Sequence, residues 1–180
     1  MMFFPGAVQA VLIMLLWLAE LGGRAGWWAP LPTVIPSTWA HAFLMLYGLF
    51  PFFIFGFLLT VYPRWMGGPT VPASRYVAAF GFLAAGMILF YFGLFTSRIV
   101  LAAALALQLA GWGVTLYALL TVFLQSPKRG PHERLLNLAL AAGMLGIACF
   151  LVGVFSDAPM AFLLAREIGL WLFLMPVVFL

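Results

Sequence analysis

Two side chains near the start of the second long apolar run could hold a metal. His41 opens the stretch STWAHAFLMLYGLFPFFIFGFLLTVYPRW, and Met45 follows it by four residues. On a helix, residues four apart share a face, so imidazole and thioether project together. That donor pair suits copper, the soft cuprous ion above all. Gly48 and Phe52 extend the same stripe. A glycine there leaves room for a flat ring or for a neighbouring helix. The bland alternatives are an interfacial histidine bonded to water or headgroups, and a methionine packed against lipid or core. Because both donors project from one face, they cannot be the opposite axial ligands of one haem.

Other candidates are weaker. Arg166 could meet a propionate or another anion, or could snorkel to the interface. Arg166 and Glu167 are consecutive, so the spacing predicts different faces and no pairing. His132, in SPKRGPHERLL, reads as a solvated residue at a helix start. Gln108 lies deep in an apolar run and is expected to hydrogen-bond across helices. Glu20 is expected to face headgroups, and Arg64 with Trp65 to anchor an interface. The single cysteine, Cys149, excludes an intrachain disulfide and any multi-cysteine metal site, and reads as a small core residue. No nucleophile–base pair, phosphate-binding loop, carboxylate pair or HExxH motif is present.

These residues must be positioned inside lipid. Of 180 residues, 67% are apolar and 7% charged, against roughly 25% charged in a soluble domain. A soluble chain of this size cannot hide that much apolar surface. The basic residues are scattered, so the formal charge of +4 makes no nucleic-acid-binding patch. Six apolar runs, at about 3–21, 38–62, 76–95, 99–124, 135–155 and 160–180, are each long enough to span a bilayer. They are continuous rather than alternating, which argues against barrel strands. The expected fold is all-α, a single polytopic transmembrane bundle over residues 1–180. The lipid bilayer is its first partner, and nucleic acid is not one.

Finer expectations follow. Ser37 or Thr38 can cap the second helix, and Pro51 should kink it. Ala102, Ala106 and Ala110, and likewise Ala142 and Gly146, form small-residue stripes suited to close helix contact. Arg64, Arg75, Lys128, Arg129 and Arg134 fall in loops on one side, with only Arg24 and Arg98 opposite. The positive-inside rule then places the N-terminus in the cytoplasm. The Trp- and Pro-rich loop 22–37 faces the other side. Gly23-Arg24-Ala25 resembles a signal-cleavage pattern, but no positive charge precedes the first run, so it reads as a retained span. No internal repeat is visible. The terminal WLFLMPVVFL has no polar flank, and the expectation is of a longer protein whose N-terminal half this is.

The second run resembles the NnrS family of membrane proteins. HAFLMLYG followed by GFLLTVYPRWMG is similar to that family's HAHEMxxG stretch followed by GFLLTAxPNWTG. Gly48, Gly56 to Thr60, Pro63, Trp65 and Gly67 fall in matching places. The resemblance implies a bacterial inner-membrane protein of about twelve spans that binds haem and copper and acts in the response to nitric oxide. It implies a second motif beyond Leu180. His41 takes the place of the first motif histidine and Met45 that of the methionine. Phe43 stands for the second histidine, Leu44 for the glutamate, Arg64 for Asn and Met66 for Thr, so two potential ligands are replaced. On this reading a haem or copper centre binds nitric oxide or another small diatomic ligand, with His41, Met45, Gly48 and Arg166 as its surroundings in this chain. The remaining half or an oligomer supplies the rest. The alternatives are half of a transporter or channel lined by Gln108, Thr115, Arg166 and Glu167, a bis-histidine electron carrier, or a scaffold subunit.

Overall fold

The computed structural model describes residues 2–179. Among them there is no strand. Six helices are long and apolar enough to cross a membrane: α1 Phe3–Arg24, α2 Ser37–Met66, α3 Ala73–Thr96, α4 Arg98–Gln125, α5 Pro131–Ser156 and α6 Pro159–Phe179. This is the expected all-α, six-span architecture. From α2 onward, successive helices are joined by short turns. Ser97, with extended backbone, ends α3 and caps α4 by accepting the Val100 N–H. Gly67, at φ 61°, closes α2 in the left-handed conformation that glycine adopts without penalty. Pro131 sits at the start of α5, where its missing N–H costs nothing. That early start draws Glu133 and Arg134 into the helix and lengthens it beyond the apolar run.

The expected break at Pro51 takes a particular form. The chain from Leu44 to Leu49 is π-helical, and the Phe50 N–H donates to the Met45 carbonyl, five residues back. Proline has no N–H and its ring collides with the carbonyl four residues before it, here that of Tyr47. A widened turn absorbs both problems. The device recurs in α6. Ile168–Leu174 is π-helical, the Met175 N–H donates to the Leu170 carbonyl, and Pro176 follows.

The two π segments pack against one another, with Tyr47 between them. Its hydroxyl donates to the Ala165 carbonyl of α6 at 2.5 Å. Its ring end occupies the space beside Gly146 of α5 and Gly169 of α6, where a Cβ would collide with it. Trp112 of α4 acts in the same way in the adjacent layer. Its indole N–H donates to the Leu140 carbonyl at 2.8 Å, its ring fills the place left by Gly143, and it meets Phe55 and Phe173 edge-on at 4.8 Å.

The small-residue expectation is half right. Gly146 makes the contact just described, but Ala106 is exposed and Ala102 and Ala110 are only half-buried. The α3–α4 seam runs instead through Gly86, Gly93 and Gly111, which face Gln108, the Leu101 backbone and Leu83.

Charge divides sharply between the two ends. At the end that carries His41, the three acids Glu20, Asp157 and Glu167 each pair with an arginine: Arg24, Arg98 and Arg166. At the other end stand Arg64, Arg75, Lys128, Arg129 and Arg134 with Glu133 alone, and among the described residues none of them forms an ion pair. The formal net charge of +4 therefore belongs entirely to this basic end. Arg98 hydrogen-bonds Asp157 and so holds its carboxyl below the usual range, tying the α3–α4 turn to the α5–α6 turn.

Packing of Tyr47 against Gly146 gives a test. Gly146→Ala should destabilise the detergent-solubilised protein by about 1–3 kcal/mol, as overpacking does. Tyr47→Phe should cost about 0.6–1 kcal/mol for the lost interhelical hydrogen bond. The double variant should be less destabilised than the sum, because the hydroxyl that the new methyl strikes is gone. Strict additivity in thermal unfolding would show that the two positions do not touch.

Candidate functional site

The site that the sequence points to lies where α1 ends and α2 begins. Ser37 is the first helical residue of α2, and no side chain caps that helix. The expected capping role gives way to a link between helices. The Ser37 hydroxyl donates to Glu20 Oε1 at 2.6 Å, and Arg24 Nε donates to the same oxygen at 2.9 Å. Arg24 Nη2 also reaches Ser37 Oγ and Thr38 Oγ1, at 3.1 and 3.2 Å. Glu20 is thus held inside a four-residue cluster rather than left facing headgroups. Trp28 folds the loop back: its indole N–H donates to the Ala19 carbonyl at 2.7 Å, and its ring covers Gly22.

One turn deeper, His41 is half-buried and stacks on Trp17 of α1, with ring centroids 4.2 Å apart and planes 23° from parallel. The Arg24 guanidinium lies over Trp17 at 5.5 Å. Among the described residues neither ring nitrogen of His41 makes a hydrogen bond. Stacking fixes the imidazole plane and leaves its lone pair and its N–H uncommitted. Met45 follows on the same helix face, half-buried against the core.

The rest of the stripe is covered by α1. A Cβ on Gly48 would meet Gln9 Nε2 at 2.9 Å and Met87 Sδ at 2.8 Å. Those two groups are bonded to each other, the amide donating to the thioether at 3.4 Å. Phe52 faces Gly6 of α1. Of the two uses foreseen for Gly48, the close approach of a neighbouring helix is the one the structure shows.

Arg166 is not in this cluster. Trp39, two residues before His41 and so on nearly the opposite face of α2, stacks on Phe162 of α6 at 5.8 Å. The Arg166 guanidinium lies beyond it, 5.9 Å over the Trp39 ring. Contrary to the sequence expectation, Arg166 pairs with Glu167: Nε and Nη2 both donate to Oε1, at 2.9 and 2.5 Å. Trp171 Nε1 holds the other carboxylate oxygen at 2.9 Å. Neighbouring helical positions point about 100° apart, but both side chains are long enough to bend together, and in apolar surroundings their charges are better paired than separate.

The side chains foreseen as a transport lining do not meet. Gln108 donates to the Leu83 carbonyl across α3–α4, as expected of it, and Thr115 to the Gly111 carbonyl within α4. Both are fully buried, whereas Arg166 is exposed and Glu167 half-buried on α6.

Sequence reasoning missed the partners. Trp17 is one aromatic among many, and nothing in its spacing links it to His41. Gln9 and Asn137 did leave a signal, as uncharged polar residues within apolar runs. At the basic end, Asn137 Nδ2 donates to the Tyr62 hydroxyl at 2.9 Å and to the Glu133 carbonyl at 2.8 Å. Among the described residues no group of three or more His, Cys, Asp or Glu side chains could by itself hold a metal ion. A protein centre in this chain would be a low-coordinate one.

The sequence model of the family described as NnrS protein matches residues 1–180. No curated protein and no solved structure matches the chain.

Trp17 should govern the exposure of His41. In a His132→Gln background, the rate at which diethyl pyrocarbonate modifies His41 should rise about two- to twelvefold on Trp17→Leu, the equivalent of a stacking contact of about 0.5–1.5 kcal/mol. An unchanged rate would mean that the stack does not restrain the imidazole.

Proposed function

The chain belongs to the NnrS family, and from that premise we propose that this multi-pass membrane protein holds copper, haem or both and takes part in the response to nitric oxide. The observation that carries this reading is the state of His41: fixed by Trp17 and hydrogen-bonded to nothing among the described residues. His41 is half-buried and its ring nitrogens stay reachable, and a histidine that is to ligate a metal must keep a nitrogen free in this way.

The donors suit a soft, low-coordinate ion. His41 supplies an imidazole nitrogen and Met45 a thioether from the same face, and the cuprous ion accepts both. Toward haem this chain would offer His41 as its one histidine ligand, since His132 lies at the opposite end of the bundle. When bound, either group supplies the centre at which a small diatomic molecule is held. The protein's contribution is then specific. His41 would ligate, Trp17 sets its plane, and the Glu20–Arg24–Ser37–Thr38 cluster holds α1 against α2. The core against which Met45 is half-buried would limit water on that side of the centre. Arg166, already bonded to Glu167, would reach an anionic substituent only by exchanging that partner. The transporter reading draws no support, because its four lining residues share no path.

The division of charge supports one orientation. The unpaired basic end faces the cytoplasm of a bacterial inner membrane, together with the N-terminus, and His41 opens toward the opposite side.

Two measurements test this. Purified native protein should show copper by elemental analysis, a haem Soret band, or both, and a band if present should shift with nitric oxide. His41→Ala should remove most of the bound metal while the helical circular dichroism is unchanged. Full retention would take His41 out of the site. For orientation, Cys149→Ser gives a cysteine-free chain. In intact cells a membrane-impermeant maleimide should label Thr33→Cys and not Lys128→Cys, and the reverse pattern would invert the topology.

A further inference from the structure

Of the cations at the basic end, Arg64 is the one set over a groove. Gly56, Thr60 and Arg64 follow one another at four-residue spacing on α2 and so share a face. Gly56 and Thr60 line a cavity of about 410 Å³. Its opposite wall is the beginning of α3, at Tyr76, Val77 and Phe80. Its deep end, at Gly56, meets Met2 and Phe3 of α1. Arg64 stands at the other end, close enough to the Tyr76 hydroxyl for its charge to act there. Eight residues of helix rise about 12 Å, most of one half of the ~30 Å hydrocarbon core. The groove therefore runs from well inside one leaflet to the interface, with a guanidinium at its mouth.

The groove offers a guest apolar walls and one charge. Its hydroxyls are already spent: Thr60 donates to the Gly56 and Phe57 carbonyls, and Tyr76 to the Leu59 carbonyl. The Arg64 side chain is exposed, and among the described residues it forms no hydrogen bond and no ion pair. From Ser37 to Thr96, the stretch that supplies both long walls, there is no Asp or Glu. Arg75 does not share the site, since its guanidinium leans away, 4.8 Å over the Tyr117 ring of α4. The larger cavity of about 620 Å³ on the neighbouring face of α2 differs in kind, because Glu133 stands in its wall.

The occupant must match this pattern. Its tail must be hydrocarbon, because no donor in the walls is left to receive a polar group. Its head must carry oxygen acceptors and a net negative charge. The guanidinium fork matches two phosphate oxygens in one plane. A zwitterionic head would bring an ammonium group to a rim that holds a cation and no acid.

We propose that the groove between α2 and α3 holds an acyl chain of an anionic phospholipid, with the lipid phosphate on Arg64 and the chain running past Thr60 and Val77 toward Gly56. The lipid enters from the leaflet at the basic end. This site is independent of the metal reading at His41.

The test uses the full chain, purified in detergent and stripped of lipid. It is titrated with phosphatidylglycerol and with phosphatidylcholine of the same acyl chains, and bound lipid is counted by native mass spectrometry. One phosphatidylglycerol should bind about fivefold tighter than phosphatidylcholine, as one arginine near a lipid surface is worth. Arg64→Gln should remove that preference. Arg75→Gln, the same change on the cation that leans away, should leave it intact. Val77→Phe narrows the groove without touching Arg64 and should weaken both lipids. Arg64 and Val77 are exposed, so these variants should melt with the parent. Equal affinity for the two lipids, equal losses on Arg64→Gln and Arg75→Gln, or an unaffected Val77→Phe variant would overturn the proposal. So would oleate binding as tightly as phosphatidylglycerol, since a carboxylate would then suffice, or a dimer of the chain that excludes the lipid.

Discussion

In lipid, apolar helices gain nothing by hiding apolar surface from water, so their association must come from close contact and satisfied polar groups. This bundle meets both needs by setting a large side chain of one helix into the space a glycine leaves on another. Tyr47 enters beside Gly146 and Gly169, Trp112 beside Gly143, Phe162 beside Gly153, and the Gln9–Met87 pair beside Gly48. Several of the same side chains also bond a backbone carbonyl or a thioether where they land. Packing and polar satisfaction are thus carried by the same residues. The register of α2 against α5 and α6 depends on them, as does the placement of everything α2 presents at its ends.

The prolines act within that constraint. Pro51 and Pro176 would each break a regular helix. The π turns before them keep the helices continuous and bring Tyr47 to the Ala165 carbonyl. The cost of a widened turn is confined to a layer where four helices converge on Tyr47 and Trp112. The polar clusters are left to the helix ends, where α1 meets α2 and where α2 meets α5.

What the sequence made legible was whatever depends on a single helix. The six runs were plain from composition, and the His41–Met45–Gly48–Phe52 stripe was plain from helical spacing. Contacts between helices were not. The alanines at 102, 106 and 110 have the spacing of a packing stripe, yet Ala106 is exposed. Small size is necessary for close approach but does not say which face is approached. The Trp17 stack joins residues on different helices, which no periodicity relates. Arg166 and Glu167 show the same limit at short range. Backbone direction separates them, and the reach of two long side chains reunites them where lipid offers neither another partner. The unpartnered oxygens of Asn137 and Glu133 were invisible for a further reason. Each is an ordinary interfacial residue until the geometry shows that its neighbours leave it unmatched.

The two ends of the bundle are chemically separate. Between His41 and Tyr62, α2 carries one ionisable side chain, Tyr47. Its proton is committed to the Ala165 carbonyl, and burial shuts it away from water. The aromatic layer of Phe43, Phe90, Phe150 and Trp112 around it is packed ring to ring at 4.5–5.9 Å. Such a layer holds no chain of donors and acceptors along which a proton could pass. His41 is therefore open only to its own face of the membrane, where Glu20 and Arg24 stand. Tyr62, bonded to Asn137, belongs to the basic face, where His132 and Glu133 stand. The helix that joins the two ends thus also carries the aromatic layer that insulates one from the other.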